Sequence, residues 1–196
     1  MPHIHPEDPS VLATVGIDTD VTVQPRGFDL SPIDGLLYGV FPGLQLRTID
    51  PTTGVTTFVT DISGVVGIES LAFGADGTLY ASGSPTSIHP ATHMYELDIQ
   101  TGAVSLLGVT GLDIDALTFG ADGFLYGTDS EAGRPADLIR IDPSTGTFQN
   151  LGSTGVPGFN GIAGYAVPAP ATFLLIGLGM FCRRCATLRA RGNIST

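Results

Sequence analysis

The sequence predicts an all-β fold, a β-propeller-like array of four-stranded blades with about three full blades, one composite blade and a C-terminal hydrophobic helix. Two short motifs recur in the same order along the chain, and both are typical of turns. The 196 residues include 27 Gly and 14 Pro, while 42% are hydrophobic and only 14% are charged. Frequent turns among plentiful apolar residues favour an all-β chain over a disordered one.

The first motif, Asp-Gly-x-Leu-Tyr, begins at Asp34, Asp76 and Asp122, at spacings of 42 and 46 residues. Asp-Gly between apolar runs is a strong hairpin signal, because glycine adopts positive φ without a Cβ penalty. Runs rich in β-branched, aromatic and leucine residues precede two of these turns, at 71–73 and 117–119. The motif therefore predicts a hairpin between two strands in every repeat.

The second motif, Asp-x-x-Thr-Gly, follows each copy of the first, at Asp50, Asp98 and Asp142. Its aspartate can fold back onto nearby backbone N–H groups, and its glycine supplies a left-handed residue. With strands predicted at 55–59 and 104–107, each repeat holds four strands in about 40–50 residues, the size of a propeller blade. The repeats resemble NHL-type and quinoprotein-type propellers, a likeness that implies a fold and no activity.

We predict five segments: a disordered N-terminus (1–10), the repeat domain (11–166), a Pro-rich motif (167–170), a hydrophobic membrane segment (171–182) and a basic cytoplasmic tail (183–196). Within the repeat domain, 11–23 resembles an outer hairpin and 158–165 an opening strand, which together would form the composite blade. Four blades are the minimum for a closed ring. The alternatives are an open arc, a ring completed by another chain, or a propeller truncated at its start.

The C-terminal segment resembles the PEP-CTERM sorting signal, in which a Val-Pro-Glu-Pro motif precedes a hydrophobic helix and a basic cluster. Here the matching residues are Val167, Pro168, Ala169 and Pro170, followed by an apolar run and then by Arg183 and Arg184. Ala169 replaces the family's glutamate, and the run is short for a membrane span. The resemblance implies an exosortase-like processing enzyme as a partner. Arginines after the span predict a cytoplasmic C-terminus and a body outside the cytoplasm.

The formal net charge is −11, and every Asp and Glu precedes Val167. Such an acidic body repels phosphate backbones, so we expect no nucleic-acid partner. It suits cations or neutral polysaccharide instead. The first residues show no basic region and no apolar run, so we expect no secretory signal peptide within this chain.

Three residues are the candidate ligand-binding set: Glu69, Asp115 and Asn160. The first two are 46 residues apart, just before equivalent strand residues, and the third follows at nearly the same spacing. Opening strands line a propeller's channel, where such oxygens could hold a hard cation such as Ca²⁺. The set is similar to the Glu, Asn and Asp that hold Ca²⁺ in propeller lactonases. The alternative is that they are strand-start residues bonded to backbone or facing water.

Two histidines, His89 and His93, have the spacing of helical metal ligands, but Pro90 argues against a helix there. No nucleophile elbow, phosphate loop or dinucleotide fingerprint occurs in the sequence, and we assign no catalytic residue. We predict an exported surface protein, membrane-anchored or processed and released, whose non-catalytic propeller binds polysaccharide, a protein or a cation. The alternatives are a Ca²⁺-dependent propeller hydrolase or lactonase, and a truncated propeller fragment.

Overall fold

The computed structural model describes residues 25–130, 134–157 and 161–163. Within these residues twelve strands form three antiparallel sheets, each with four strands in chain order. The predicted four-stranded repeat is therefore confirmed. The first sheet contains β1 (Arg26–Leu30), β2 (Leu37–Phe41), β3 (Gln45–Ile49) and β4 (Thr56–Asp61). The second contains β5 (Gly67–Phe73), β6 (Leu79–Ser84), β7 (His93–Leu97) and β8 (Val104–Val109). The third contains β9 (Ile114–Phe119), β10 (Leu125–Asp129), β11 (Pro135–Ile141) and β12 (Phe148–Pro157).

The Asp-Gly-x-Leu-Tyr motif forms the first hairpin of every sheet, as predicted. The Asp34 carboxylate accepts hydrogen bonds from the Leu36 N–H at 3.1 Å and from the Tyr38 hydroxyl at 2.9 Å. In the third sheet the Tyr126 hydroxyl donates to Asp122 at 3.0 Å in the same way. In the first and third sheets the tyrosine that ends the motif therefore ties the second strand back to its turn. Burial, with Asp34 nearby, raises the pKa of Tyr38 to about 12.

The Asp-x-x-Thr-Gly motif forms the turn between the third and fourth strands. In the second sheet the Asp98 carboxylate accepts hydrogen bonds from the N–H groups of Gln100 at 2.8 Å and Thr101 at 3.3 Å. Its backbone carbonyl accepts a bond from the Gly102 N–H at 2.8 Å. These bonds to the ionised carboxylate lower the pKa of Asp98. The carboxylate folds back onto the backbone as the sequence predicted.

Neighbouring sheets stack through their first strands, since β1 contacts β5 and β5 contacts β9. One apolar cluster lies between the first and second sheets and another between the second and third. An aromatic pair recurs in both: Tyr38 meets Phe73 edge-on at 5.2 Å between ring centroids, and Tyr80 meets Phe119 at 5.3 Å. The three sheets therefore pack side by side, as propeller blades do.

The first motif joins the first strand to the second, and the other motif joins the third strand to the fourth. Because the first and third strands run in the same direction, both turns lie at the same end of the sheets. The opposite end carries the loop 85–92 between β6 and β7, the connection 110–113 between β8 and β9, and the loop between β10 and β11. These connections and the starts of the first strands form one face of the protein.

Several predicted segments fall outside the described residues. Of the predicted opening strand 158–165, only 161–163 are described, and they lie outside any strand. The predicted hairpin at 11–23, the Pro-rich motif, the hydrophobic segment 171–182 and the basic tail are all outside. Among the residues that the structure does describe, none belongs to a helix suited in length and hydropathy to cross a membrane.

Candidate metal centre

Glu69 and Asp115 lie near the starts of β5 and β9, the adjacent first strands of the second and third sheets. Both side chains are largely buried, with 12% and 16% of their surface exposed. The structure therefore brings together two of the three residues predicted from their equivalent positions. Asn160, the third, lies outside the described residues.

A histidine joins this pair from the loop between β6 and β7. One ligand atom from each of Glu69, His89 and Asp115 lies within 4.8 Å of the other two. The His89 Nδ1 atom is 3.9 Å from the Asp115 Oδ1 atom. Two carboxylates and an imidazole at these separations form a donor set suited to a divalent metal ion.

A fourth residue, Asp113, holds the other side of the imidazole. The His89 Nε2 atom lies 3.0 Å from the Asp113 Oδ2 atom, and the second oxygen of Asp113 accepts a hydrogen bond from the Ala91 N–H at 3.0 Å. An Nε2–H directed at Asp113 leaves Nδ1 as the lone-pair nitrogen of the neutral ring. Carboxylates commonly orient metal-binding histidines in this manner.

Two arginines flank the cluster. Arg26, at the start of β1, pairs with Glu69 and so links the first sheet to the second. Arg134 pairs with the buried Asp129 at 2.7 Å, and Asp129 also accepts a hydrogen bond from the Asp113 N–H at 3.0 Å. Glu69 within the donor set and Asp129 outside it therefore each have an arginine partner.

Asp115 experiences the strongest electrostatic effect at this site. Burial and the neighbouring carboxylates, Asp113 above all, together raise the pKa of Asp115 to about 6, although His89 lowers it. The ionised carboxylate is thus destabilised by poor solvation and by like charges. A cation bound beside Asp115 would relieve both effects.

Two cavities open beside the cluster. One, of about 420 Å³, is lined by seven residues that include His89, Asp113, Asp129 and Arg134. The other, of about 510 Å³, lies between the first two sheets, where Arg26 borders apolar residues such as Phe41 and Ile88. Volumes of this size suit small ligands.

Sequence reasoning missed His89 as the partner of the two carboxylates. His93 lies in β7, stacks on Tyr95 at 6.0 Å between ring centroids and is not in the candidate metal-binding group, in keeping with the argument from Pro90 against a His89–His93 pair. Asp113 had a usable signal, because it lies two residues before Asp115 near the start of the same strand. The spacing of His89 to His93 drew attention to His89, but no spacing connected it to Glu69 or Asp115.

The repeats also place the protein in a family. A sequence model described as "Repeat of unknown function (DUF6923)" matches residues 29–167, which is most of the chain. The chain belongs to this family. A search of curated proteins gave no match. The DUF6923 family description names no activity.

Solved structures similar to this DUF6923 chain have propeller-type folds. One is the PQQ-bound form of aldose sugar dehydrogenase from Streptomyces coelicolor, at 20% identity and a TM-score of 0.51, covering 68% of this chain and 48% of that one. Another is a catalytically inactive virginiamycin B lyase from Staphylococcus aureus with quinupristin, at 15% identity and a TM-score of 0.50, covering 72% and 46%. The chain spans about half the length of each. At these identities the likeness shows a propeller-like repeat fold alone.

Proposed function

We propose that this protein is a non-catalytic binding module of propeller type that holds a divalent metal ion at Glu69, His89 and Asp115. The observation that carries the proposal is the convergence of their three ligand atoms within 4.8 Å. The three residues come from two sheets and a loop. A bound ion would therefore join adjacent blades at the face that carries the loop 85–92 and the connection 110–113.

The donor set favours Mn²⁺ or Zn²⁺ over the Ca²⁺ expected from the sequence. Ca²⁺ takes oxygen ligands almost exclusively, whereas an imidazole nitrogen beside carboxylates suits transition metals. The carboxylates of Glu69 and Asp115 could bind a transition metal or Ca²⁺. His89 is the residue that distinguishes them, and Asp113 keeps its ring in the required orientation.

Metal binding to the full chain tests the proposal. Isothermal titration calorimetry with MnCl₂, ZnCl₂ and CaCl₂ is expected to give one site per chain, with a transition metal bound more tightly than Ca²⁺. His89→Ala is expected to weaken binding about 10–100-fold or more, since it removes a ligand. His93→Ala is the matched control, because that histidine lies nearby but outside the donor set. No binding by the parent, or equal losses in both variants, would refute the site.

A metal-dependent hydrolase is the second candidate, favoured by the cavity of about 420 Å³ that His89 and Asp113 line. A metal at the triad would lie beside this cavity and polarise a bound carbonyl group. Hydrolysis of small lactones and phenyl esters by the metal-loaded chain tests it. Turnover that disappears in Glu69→Gln would favour the enzyme, and no turnover despite metal binding would favour the binding module.

We also propose that the module is displayed at the cell envelope, anchored in the inner membrane or released after processing. The support is the resemblance of residues 167–184 to a sorting signal. There the face formed by the loop 85–92 and the starts of the first strands would bind polysaccharide or a protein. A reporter fused ahead of the C-terminal segment, with an export signal supplied, is expected outside the cytoplasm. A reporter that stays in the cytoplasm would reject this location.

A further inference from the structure

In the first two sheets the motif tyrosine lies on the face that packs against the next sheet. Tyr38 of the first sheet packs on Phe73 of the second, and Tyr80 of the second packs on Phe119 of the third. In both pairs the phenylalanine is the last residue of a first strand and lies opposite the first residue of the second strand. At both junctions, therefore, the motif tyrosine of one sheet packs on the last residue of the next sheet's first strand.

The first sheet has a receiving face of the same kind. Leu30 pairs with Leu37 at the start of β2, so it occupies the position of Phe73 and Phe119. Phe28, two residues before it, occupies the position of Leu71 and Leu117. Leu71 and Leu117 are only 0% and 5% exposed, whereas Phe28 is 41% and Leu30 52% exposed.

A third large apolar side chain extends this surface. Phe58 of β4 lies in the same row across the sheet as Phe28, through the pairs of Phe28 with Gly39, Gly39 with Arg47 and Arg47 with Phe58, and it is 48% exposed. We call Phe28, Leu30 and Phe58 the receiving face of the first sheet. Leu106 at the equivalent position of the stacked middle sheet is 57% exposed, so it is Phe28 and Leu30 whose exposure marks this face as uncovered.

The third sheet presents the complementary group. Tyr126 occupies the position of Tyr38 and Tyr80 in the motif, is only partly buried, and its hydroxyl is fixed by Asp122 as that of Tyr38 is fixed by Asp34. Its face therefore carries the tyrosine at the same position as the two faces that already pack on a following sheet, and the same tyrosine–aspartate bond as the first of them. One chain carries both halves of the same contact at opposite ends of its three sheets.

We propose that a second copy of this chain fills the receiving face. The Tyr126 face of one copy would pack on Phe28, Leu30 and Phe58 of the other, and twofold symmetry would form the same contact twice. The result is a ring of two three-sheet halves. This dimer is independent of the metal site.

The test is the mass of the full chain in solution, by size-exclusion chromatography with light scattering at micromolar concentration. The parent is expected at twice 20.2 kDa. Leu30→Asp is expected to raise the dimer dissociation constant at least about 30-fold, because a central apolar contact becomes a charge. Leu106→Asp is the matched control, a leucine 57% exposed on β8 of the middle sheet, and it should remain dimeric.

Cross-linking locates the contact. In a Cys182→Ser, Cys185→Ser background, a Leu30→Cys copy mixed with a Tyr126→Cys copy is expected to form a bismaleimide heterodimer, and a Leu106→Cys copy is not. Association that persists unchanged in Leu30→Asp would show that another surface drives it and would overturn the proposal. A monomeric parent whose melting temperature falls in Leu30→Asp but not in Leu106→Asp would also overturn it, and would assign the face to the chain's own residues.

Discussion

Asp29 and Phe73 connect the first two sheets, because the Asp29 carboxylate accepts a hydrogen bond from the Phe73 backbone N–H at 2.6 Å. The other carboxylate oxygen accepts a bond from the Leu30 N–H at 2.9 Å. Burial raises the pKa of Asp29, and the two hydrogen bonds oppose that rise. A side chain thus supplies the acceptor that a neighbouring strand would supply within a sheet.

Asp29→Ala should decrease the free energy of unfolding by about 1–3 kcal/mol, because the Phe73 N–H loses its acceptor between two packed sheets. Asp29→Asn keeps one acceptor oxygen for the Phe73 N–H, loses the bond from the exposed Leu30 N–H and removes a poorly solvated charge, so it should cost less than Asp29→Ala. Urea unfolding of both variants at pH 7 measures the difference. Equal losses would show that the charge matters rather than the hydrogen bond.

A second prediction concerns Gly102, where the turn of one sheet packs against the previous sheet. Its φ is +72°, and a Cβ built on it would lie 2.0 Å from the carbonyl oxygen of Asp61 in β4. Gly35 has the same φ of +72° and open space around it. Gly35→Ala should therefore decrease the free energy of unfolding by about 1–2 kcal/mol, which is the cost of holding alanine in the left-handed conformation.

Gly102→Ala should decrease the free energy of unfolding by about 1–3 kcal/mol more than Gly35→Ala does, because the sheets must separate to admit the methyl group. The Ser63 N–H donates to the Gly102 carbonyl at 2.9 Å, so the same shift would disturb that bond. Chemical denaturation of the two variants side by side isolates the contact between sheets. Similar destabilisation in both would mean that backbone conformation alone requires glycine at this turn.

The third prediction follows from the pKa of Asp115, which burial and neighbouring carboxylates raise to about 6 from 3.8. A raised pKa means that the folded state binds the proton more tightly than the unfolded state. Stability from this group is therefore present below about pH 4 and is lost as the pH rises through about 6. Above that range the ionised carboxylate should cost up to about 3 kcal/mol without metal.

Asp115→Asn should accordingly be more stable than the parent at pH 8 in the presence of EDTA, and about equally stable at pH 4. Thermal melts at both pH values measure the effect, with the exposed Asp61→Asn as a control that should change little. The same variant should lose the stabilisation that Mn²⁺ or Zn²⁺ gives the parent. A difference between Asp115→Asn and the parent that is independent of pH would contradict the electrostatic explanation.

The sequence located the strands well because their turns are local. Asp98 and Gly102 form their hydrogen bonds within a few residues, so the spacing of the motif already contained the geometry. The equivalence of Glu69 and Asp115 was also visible, since the repeat places both near the start of a first strand. His89 could not be predicted, because its partners are 20 or more residues away in the chain and meet it only when the sheets pack.

The sequence by itself determined the repeat, its four strands and the two turns, because short-range hydrogen bonds and glycine conformation set them. Only the tertiary structure decided that a loop histidine completes the carboxylate pair, and that equivalent residues differ in burial between the first sheet and the others. Both outcomes depend on which sheets and loops become neighbours. Leu30 and Phe73 occupy the same position in their repeats, yet one is 52% and the other 6% exposed, since only Phe73 has a preceding described sheet to cover it.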